Sequence, residues 1–195
     1  MQITQSAASP SLAEWRQLLD ELYHDRKLWT FKRGEAIPLK EEDVWVVCRG
    51  VVQLSTLYPS GDEGILGLAC ASMPFGRPFT QVNPYEAVAL SDVVLMRLHH
   101  MELEQSPRLA QSLMREMGRR IQQTEALLAM AGCRRVKDRL RQLILLLQQE
   151  LGHVTPEGIK LSIKLTHQQL ASMIGTTRVT VTRLLMELKD EGLQI

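Results

Sequence analysis

The chain has 195 residues, 45% of them hydrophobic and 23% charged, which supports a buried core and excludes global disorder. The length leaves room for one moderate domain and a compact second module, and excludes a large multidomain enzyme. The net charge of +1 hides an asymmetry: residues 1–131 hold 13 lysines and arginines against 16 acids, and residues 132–195 hold 10 against 6. The basic end is C-terminal, which fits contact with a polyanion.

No apolar run approaches the ~20 residues of a membrane span. The opening MQITQSAASP has neither the basic nor the apolar region of a secretion signal, so a cytoplasmic protein without a membrane partner is expected. Cys48, Cys70 and Cys133 are odd in number and widely spaced, and read as reduced thiols rather than a disulfide framework or metal set.

The first predicted element is an amphipathic helix over residues 11–25, opened by a Ser11–Glu14 capping box, with Leu12, Trp15, Leu18, Leu19 and Leu22 on one face. From Trp29 to about Leu98 the chain turns to short runs rich in β-branched and aromatic residues: VWVVCRG, VVQLSTLY, GILGLAC, YEAVAL and DVVLMRL. Turns at Arg33-Gly34, Arg49-Gly50 and Pro59 to Asp62 join them, which predicts an antiparallel β-barrel or roll. His99-His100 falls at a strand end or loop, without a carboxylate or cysteine at metal-ligand spacing.

Ser106 and Pro107 then cap and open a long helix. Leu109, Leu113, Met117, Ile121, Thr124, Leu128 and Ala131 recur at spacings of three and four, over a length of about 37 Å at 1.5 Å per residue. That stripe is read as the seam of a homodimer. Gly132 and Cys133 break it, and a further helix over 136–151 faces a core with Leu140, Leu143, Ile144 and Leu147. A turn at Thr155 to Gly158 leads into a strand on which Ile159, Leu161, Ile163 and Leu165 alternate with polar residues. The predicted domains are 1–105, a helix and β-roll; 106–132, the dimerisation helix; and 133–195, a helix-turn-helix module.

The most specific signal is THQQLASMIGTTRVTVTRLLMELK, Thr166 to Lys189. Thr166 and Gln169 form a capping box, Gly175 suits the positive φ of a turn, and Thr176 or Thr177 caps a second helix. Leu170, Ala171, Ile174, Val181, Leu184 and Leu185 supply the packing between the helices. In a helix-turn-helix the second helix enters the major groove by its N-terminal residues, here Thr177, Arg178, Val179, Thr180, Thr182 and Arg183. Arg178 matches O6 and N7 of guanine, and Val179 a thymine methyl. Thr166, His167 and Thr176 complete the candidate DNA-binding set, with His167 near the DNA backbone, where phosphate contact and simple exposure are equal readings. No Ser-His-Asp, P-loop or paired-carboxylate arrangement stands in a supporting context, so no enzyme is expected.

A β-roll, a long dimer helix and a C-terminal helix-turn-helix, in that order, resemble the CRP/FNR family of bacterial transcription regulators. RRIQQTEALLAMAG, GIKLSIKLTHQQLASMIG and TTRVTVTRLL are similar to its nitrogen-control, NtcA-like branch, in which valine stands at the position of Val179. The resemblance implies an α+β fold: an antiparallel β-roll of the jelly-roll, cyclic-nucleotide-binding-like kind, then a winged-helix-type DNA-binding module. It implies a homodimer on double-stranded DNA with a GTA/TAC-like inverted repeat, and RNA polymerase as a partner. Relatives continue into a β-hairpin wing after the recognition helix, so a truncated wing is expected at Gly192 to Ile195. The alternative is a ligand-sensing or protein-interaction dimer with impaired DNA binding.

The same resemblance bears on the effector. Phe75-Gly76-Arg77-Pro78 lacks the glutamate and later Arg-Ser/Thr of the cyclic-nucleotide branch, so cyclic AMP is not expected. Neither haem nor an iron–sulfur cluster is expected, since no N-terminal cysteine group is present. The nitrogen-control branch implies 2-oxoglutarate, a dianion, held by Phe75 and Gly76 and by Arg120 and Glu125 on the dimer helix. An arginine expected in the roll is missing, since Gln81 to Pro84 stand in its place. Binding weaker than the family norm is therefore expected unless Arg77 substitutes.

Overall fold

A computed structural model describes residues 26–193 except Glu157; the helix expected over residues 11–25, and Gln194 and Ile195, lie outside the described residues. Seven strands come first: β1 (Leu28–Phe31), β2 (Asp43–Arg49), β3 (Val52–Leu57), β4 (Glu63–Ala69), β5 (Pro74–Phe75), β6 (Glu86–Ala89) and β7 (Val93–His99). They form two antiparallel sheets, ordered β1-β7-β2-β5 and β4-β3-β6. This is the expected roll, and its turns fall at the glycines read from the sequence, Gly34, Gly50 and Gly61, each with positive φ.

The VWVV run of β2 is apolar without alternation because both of its faces are covered. Trp45 and Val47 point into the roll, where the Trp45 indole donates to the Pro38 carbonyl at 3.0 Å and meets Trp29 and Phe31 edge-on. Val44 and Val46 point outward and pack with Met96 and Leu98 against Leu109 and Leu113 of the long helix.

Helices follow. His99 ends β7 and caps α1 (His100–Gln105), a short helix that the sequence reading took for a strand end or loop. The Ser106 hydroxyl then accepts from the Leu109 amide, Pro107 takes the first turn, and α2 runs over Pro107–Ala131 as expected. After the break at Gly132, α3 spans Val136–Leu151.

The expected single strand after α3 is one arm of a hairpin. β8 (Gly152–Thr155) pairs with β9 (Gly158–Leu161), and the regular pairing stops at Leu161 rather than continuing to Leu165. The sequence GHVT is too short and too poor in alternation to announce β8. Last come α4 (His167–Ile174) and α5 (Arg178–Asp190). One hydrophobic cluster runs from the roll, through Leu68 and Ala69, to Leu140, Leu143, Leu147, Leu170 and Val181 of the C-terminal helices. Roll and C-terminal module therefore share a core.

Candidate nucleic-acid interface and a cavity beside the long helix

The helix-turn-helix is held by local chemistry at every corner. At the start of α4, Thr166 Oγ1 accepts from the Gln169 amide at 3.1 Å and Gln169 Oε1 accepts from the Thr166 amide at 2.8 Å, a closed capping box. Gly175 ends α4 at φ 63, ψ 55, the left-handed region that glycine enters at least cost. Thr177 caps α5: its hydroxyl accepts from the Thr180 amide at 3.3 Å. Ala171 and Val181 are fully buried where the helices meet.

A second bracket joins the helices on the wet side. Thr182 Oγ1 donates to the Arg178 carbonyl at 3.0 Å and stands 2.7 Å from His167 Nδ1, so with its one proton so used it accepts from Nδ1 of the imidazole. Thr182 and His167 are thereby brought together as a support. Arg183 pairs with Glu187 one turn on. Arg178 has no side-chain partner among the described residues, and Val179 is 79% exposed. The first turn of α5 thus presents one unengaged guanidinium beside one bare isopropyl group. Thr176 and Thr180 are half-buried, while Lys164 and Lys189 are exposed.

Three arginines that the sequence reading passed over fix this module to the rest. Arg139 of α3 donates to the Ile174 carbonyl at 3.0 Å and to the Cys133 carbonyl at 3.1 Å, tying the break after α2 to the turn of the helix-turn-helix. Arg33, in the turn after β1, donates to the Lys164 carbonyl at 3.0 Å. Arg119 of α2 bridges Glu116 and Glu150, at 3.1 and 3.3 Å. The links to Ile174, Lys164 and Glu150 carry no local pattern, because those partners are brought near by the tertiary fold.

The expected dimer stripe divides. Leu109 and Leu113 are not available as a seam, because they are buried against β2 and β7 of the same chain. The apolar face that stays open is one residue out of step with them. Met114, Ile121 and Leu128, seven residues apart, are 75%, 56% and 73% exposed; Thr124 and Ala131 are exposed beside them, and Met117 is half-buried. These positions make a regular a/d heptad seam.

Between α2 and the roll lies a cavity of about 310 Å³. Phe75, Arg120 and Glu125 line it, as expected, together with Leu66, Phe79, Val82, Tyr85, Met117 and Ile121. Two expected members do not line it. Gly76 is pressed against β2, where a Cβ would stand 2.4 Å from the Asp43 carbonyl oxygen. Arg77 is engaged by Glu41 at 3.2 Å and donates to the Val82 carbonyl at 2.9 Å, so it braces the wall and does not replace the missing roll arginine.

Arg120 is the cavity's cation. Its Nη1 is buried without a hydrogen-bond partner among the described residues. Burial draws its guanidinium below the ordinary value, with Tyr85 pulling the other way. Tyr85 itself is pushed up by burial and pulled back by Arg120. Burial also raises the Cys70 and Cys48 thiols to about 12, which keeps both protonated and unreactive. All three cysteines are free. Among the described residues no cluster of metal-ligating groups occurs, and no helix is long and apolar enough to cross a membrane.

Residues 138–194 match the Crp-like helix-turn-helix domain. The global nitrogen regulator of Synechococcus elongatus is 34% identical over 84% of this chain and 79% of its own length, and that of Synechocystis is 33% identical over 93% and 85%. Among solved structures, a CRP/FNR-family transcriptional regulator of Thermus thermophilus superposes with a TM-score of 0.68 at 28% identity, covering 85% of this chain and 87% of that one. A cyclic nucleotide-binding domain protein of Listeria monocytogenes superposes with a TM-score of 0.78 at 19% identity, covering 91% of each chain, which bears on the fold alone. Roll, long helix and helix-turn-helix, joined by these matches, show that the chain belongs to the CRP family of transcription regulators.

Proposed function

We propose that the protein is a homodimeric, sequence-specific DNA-binding regulator, that each subunit reads a GTA-like half-site of an inverted repeat, and that a small anion seated on Arg120 modulates it. The observation that carries the reading is the first turn of α5: Arg178 and Val179 project there without side-chain partners among the described residues, while the Thr177 cap holds the start of the helix. Arg178 supplies two donors for guanine, and Val179 an apolar contact for thymine. Thr180 and Arg183 extend that face, and Thr166, His167, Thr176 and Thr177 stand where α4 and the cap of α5 meet phosphate.

The open heptad on α2 supports the dimer. Three large apolar side chains exposed at one interval of seven residues form a contiguous stripe, and burying it against a second copy removes it from water. A two-fold dimer reads an inverted repeat with half-sites about one helical turn apart. Ile121, Thr124 and Glu125 border both the seam and the cavity, so a ligand at Arg120 acts on the pairing of the long helices and, through them, on the recognition helices. The dimer would act at promoters together with RNA polymerase. For 2-oxoglutarate, one cavity arginine supports weak binding only.

A gel-shift with a GTA/TAC inverted repeat and a scrambled duplex tests the proposal. Tighter binding of the repeat by about a thousandfold or more at physiological salt is expected. Equal affinity for both duplexes would overturn it.

A further inference from the structure

We infer that the cavity beside α2 takes a small monocarboxylate with an apolar body, its carboxylate on the Arg120 guanidinium, in preference to a dianion. The inference rests on the reading of that cavity as an effector site, and it names the ligand class from the charges and surfaces that line it.

Arg120 calls for one carboxylate. Its side chain lines the cavity, and among the described residues its Nη1, buried near Gly67, has no hydrogen-bond partner. A carboxylate meets a guanidinium with two parallel hydrogen bonds.

Among the described residues no second cation awaits a second carboxylate. The other ionisable groups on the wall are Tyr85 and Glu125; Arg77 is held by Glu41 and the Val82 carbonyl. A dianion would leave one charge desolvated and facing an acid, whereas a monoanion leaves none unpaired.

Apart from Thr80 and Thr124, the remaining wall is apolar, with Leu66, Phe75, Phe79, Val82, Met117 and Ile121 its larger side chains. Such a surface rewards a branched aliphatic or aromatic body at roughly 25 cal/mol per Å² removed from water. An amino group beside the carboxylate has an acceptor in Glu125, so oxo acids and amino acids of this shape share the chemistry, and the experiment separates them.

Calorimetric titration of the full chain with 4-methyl-2-oxopentanoate, leucine and 2-oxoglutarate is the test. At least one of the two monocarboxylates is expected to bind about tenfold tighter than 2-oxoglutarate, and Arg120→Met to weaken it about tenfold or more. Glu125→Gln should weaken leucine and spare the oxo acid if the amino acid is the better ligand, and should leave the ranking unchanged if the oxo acid is. Circular dichroism and the thermal midpoint establish that each variant is folded, and 4-methyl-2-pentanone, which lacks the carboxylate, should not bind. Equal or tighter binding of 2-oxoglutarate, binding insensitive to Arg120→Met in a folded variant, or no binding of either monocarboxylate at millimolar concentration would overturn the inference. A failed gel-shift beside a successful titration would remove the DNA reading and leave this one standing.

Discussion

Arg119 on α2 reaches Glu150 on α3 at 3.3 Å, joining the helix that lines the cavity to the helix that carries the hairpin and the DNA-binding module. The same guanidinium holds Glu116, which is almost fully buried. Arg119 immediately precedes Arg120 in sequence, so the bridge and the cavity's cation share one turn of helix.

The bridge has a pH signature. Burial holds the Glu150 carboxyl above its ordinary value of 4.5, with Arg119 and Arg120 pulling it back. A carboxyl raised in the folded state favours folding while protonated: that contribution is complete below the unfolded value near 4.5 and disappears as pH climbs through the raised folded value. Glu150→Gln should therefore flatten this part of the stability profile and leave the protein at neutral pH no less stable. Arg119→Met, which removes the bridge between the buried Glu116 and Glu150, should cost about 3 kcal/mol. Thermal melts from pH 4.5 to 8 check both, and equal destabilisation by the two variants would show that attraction rather than burial governs Glu150.

Assembly is tested on the open face alone. Met114→Glu with Leu128→Glu changes two exposed residues that line no part of the cavity, so the subunit fold should persist in circular dichroism. Light scattering should report monomers, since the seam would bury like charges. A dimer of unchanged mass would place the interface elsewhere.

Base reading and backbone binding separate by their dependence on sequence and salt. Arg178→Ala should cost about 1 to 3 kcal/mol per half-site and relax the preference at one base pair. Lys164→Ala or Lys189→Ala should weaken all duplexes alike and lower the salt slope by about one unit for each phosphate no longer neutralised. Equal weakening of specific and scrambled DNA by Arg178→Ala would contradict the assignment of α5.

Gly175 sits at φ 63 with nothing within 4 Å of where a Cβ would stand, so its substitution is strained by backbone conformation and not by crowding. Gly175→Ala should lower stability by about 1 kcal/mol in denaturant unfolding, and Gly175→Asn by less, because asparagine tolerates the left-handed region.

Much of this protein is local. The capping box at Thr166, the Ser106-Pro107 start and the glycine turns of the roll are each written within a few residues, and the structure places them as the sequence predicts. Caps, turns and periodicity work through neighbours in the chain, so a single sequence reports them. The amphipathic stripe on α2 was legible as well, but not which of its edges faced inward. Leu109 and Leu113 close the outer surface of β2 and β7, and only that packing leaves Met114, Ile121 and Leu128 open. The tertiary structure also decided that Arg77 pairs with Glu41, that Arg120 keeps a buried nitrogen without a partner among the described residues, and that Arg119, Arg139 and Arg33 fasten the module. A charged side chain is specified by whatever stands opposite it, and residues 31 to 131 positions away along the chain come to stand opposite only when the fold has closed.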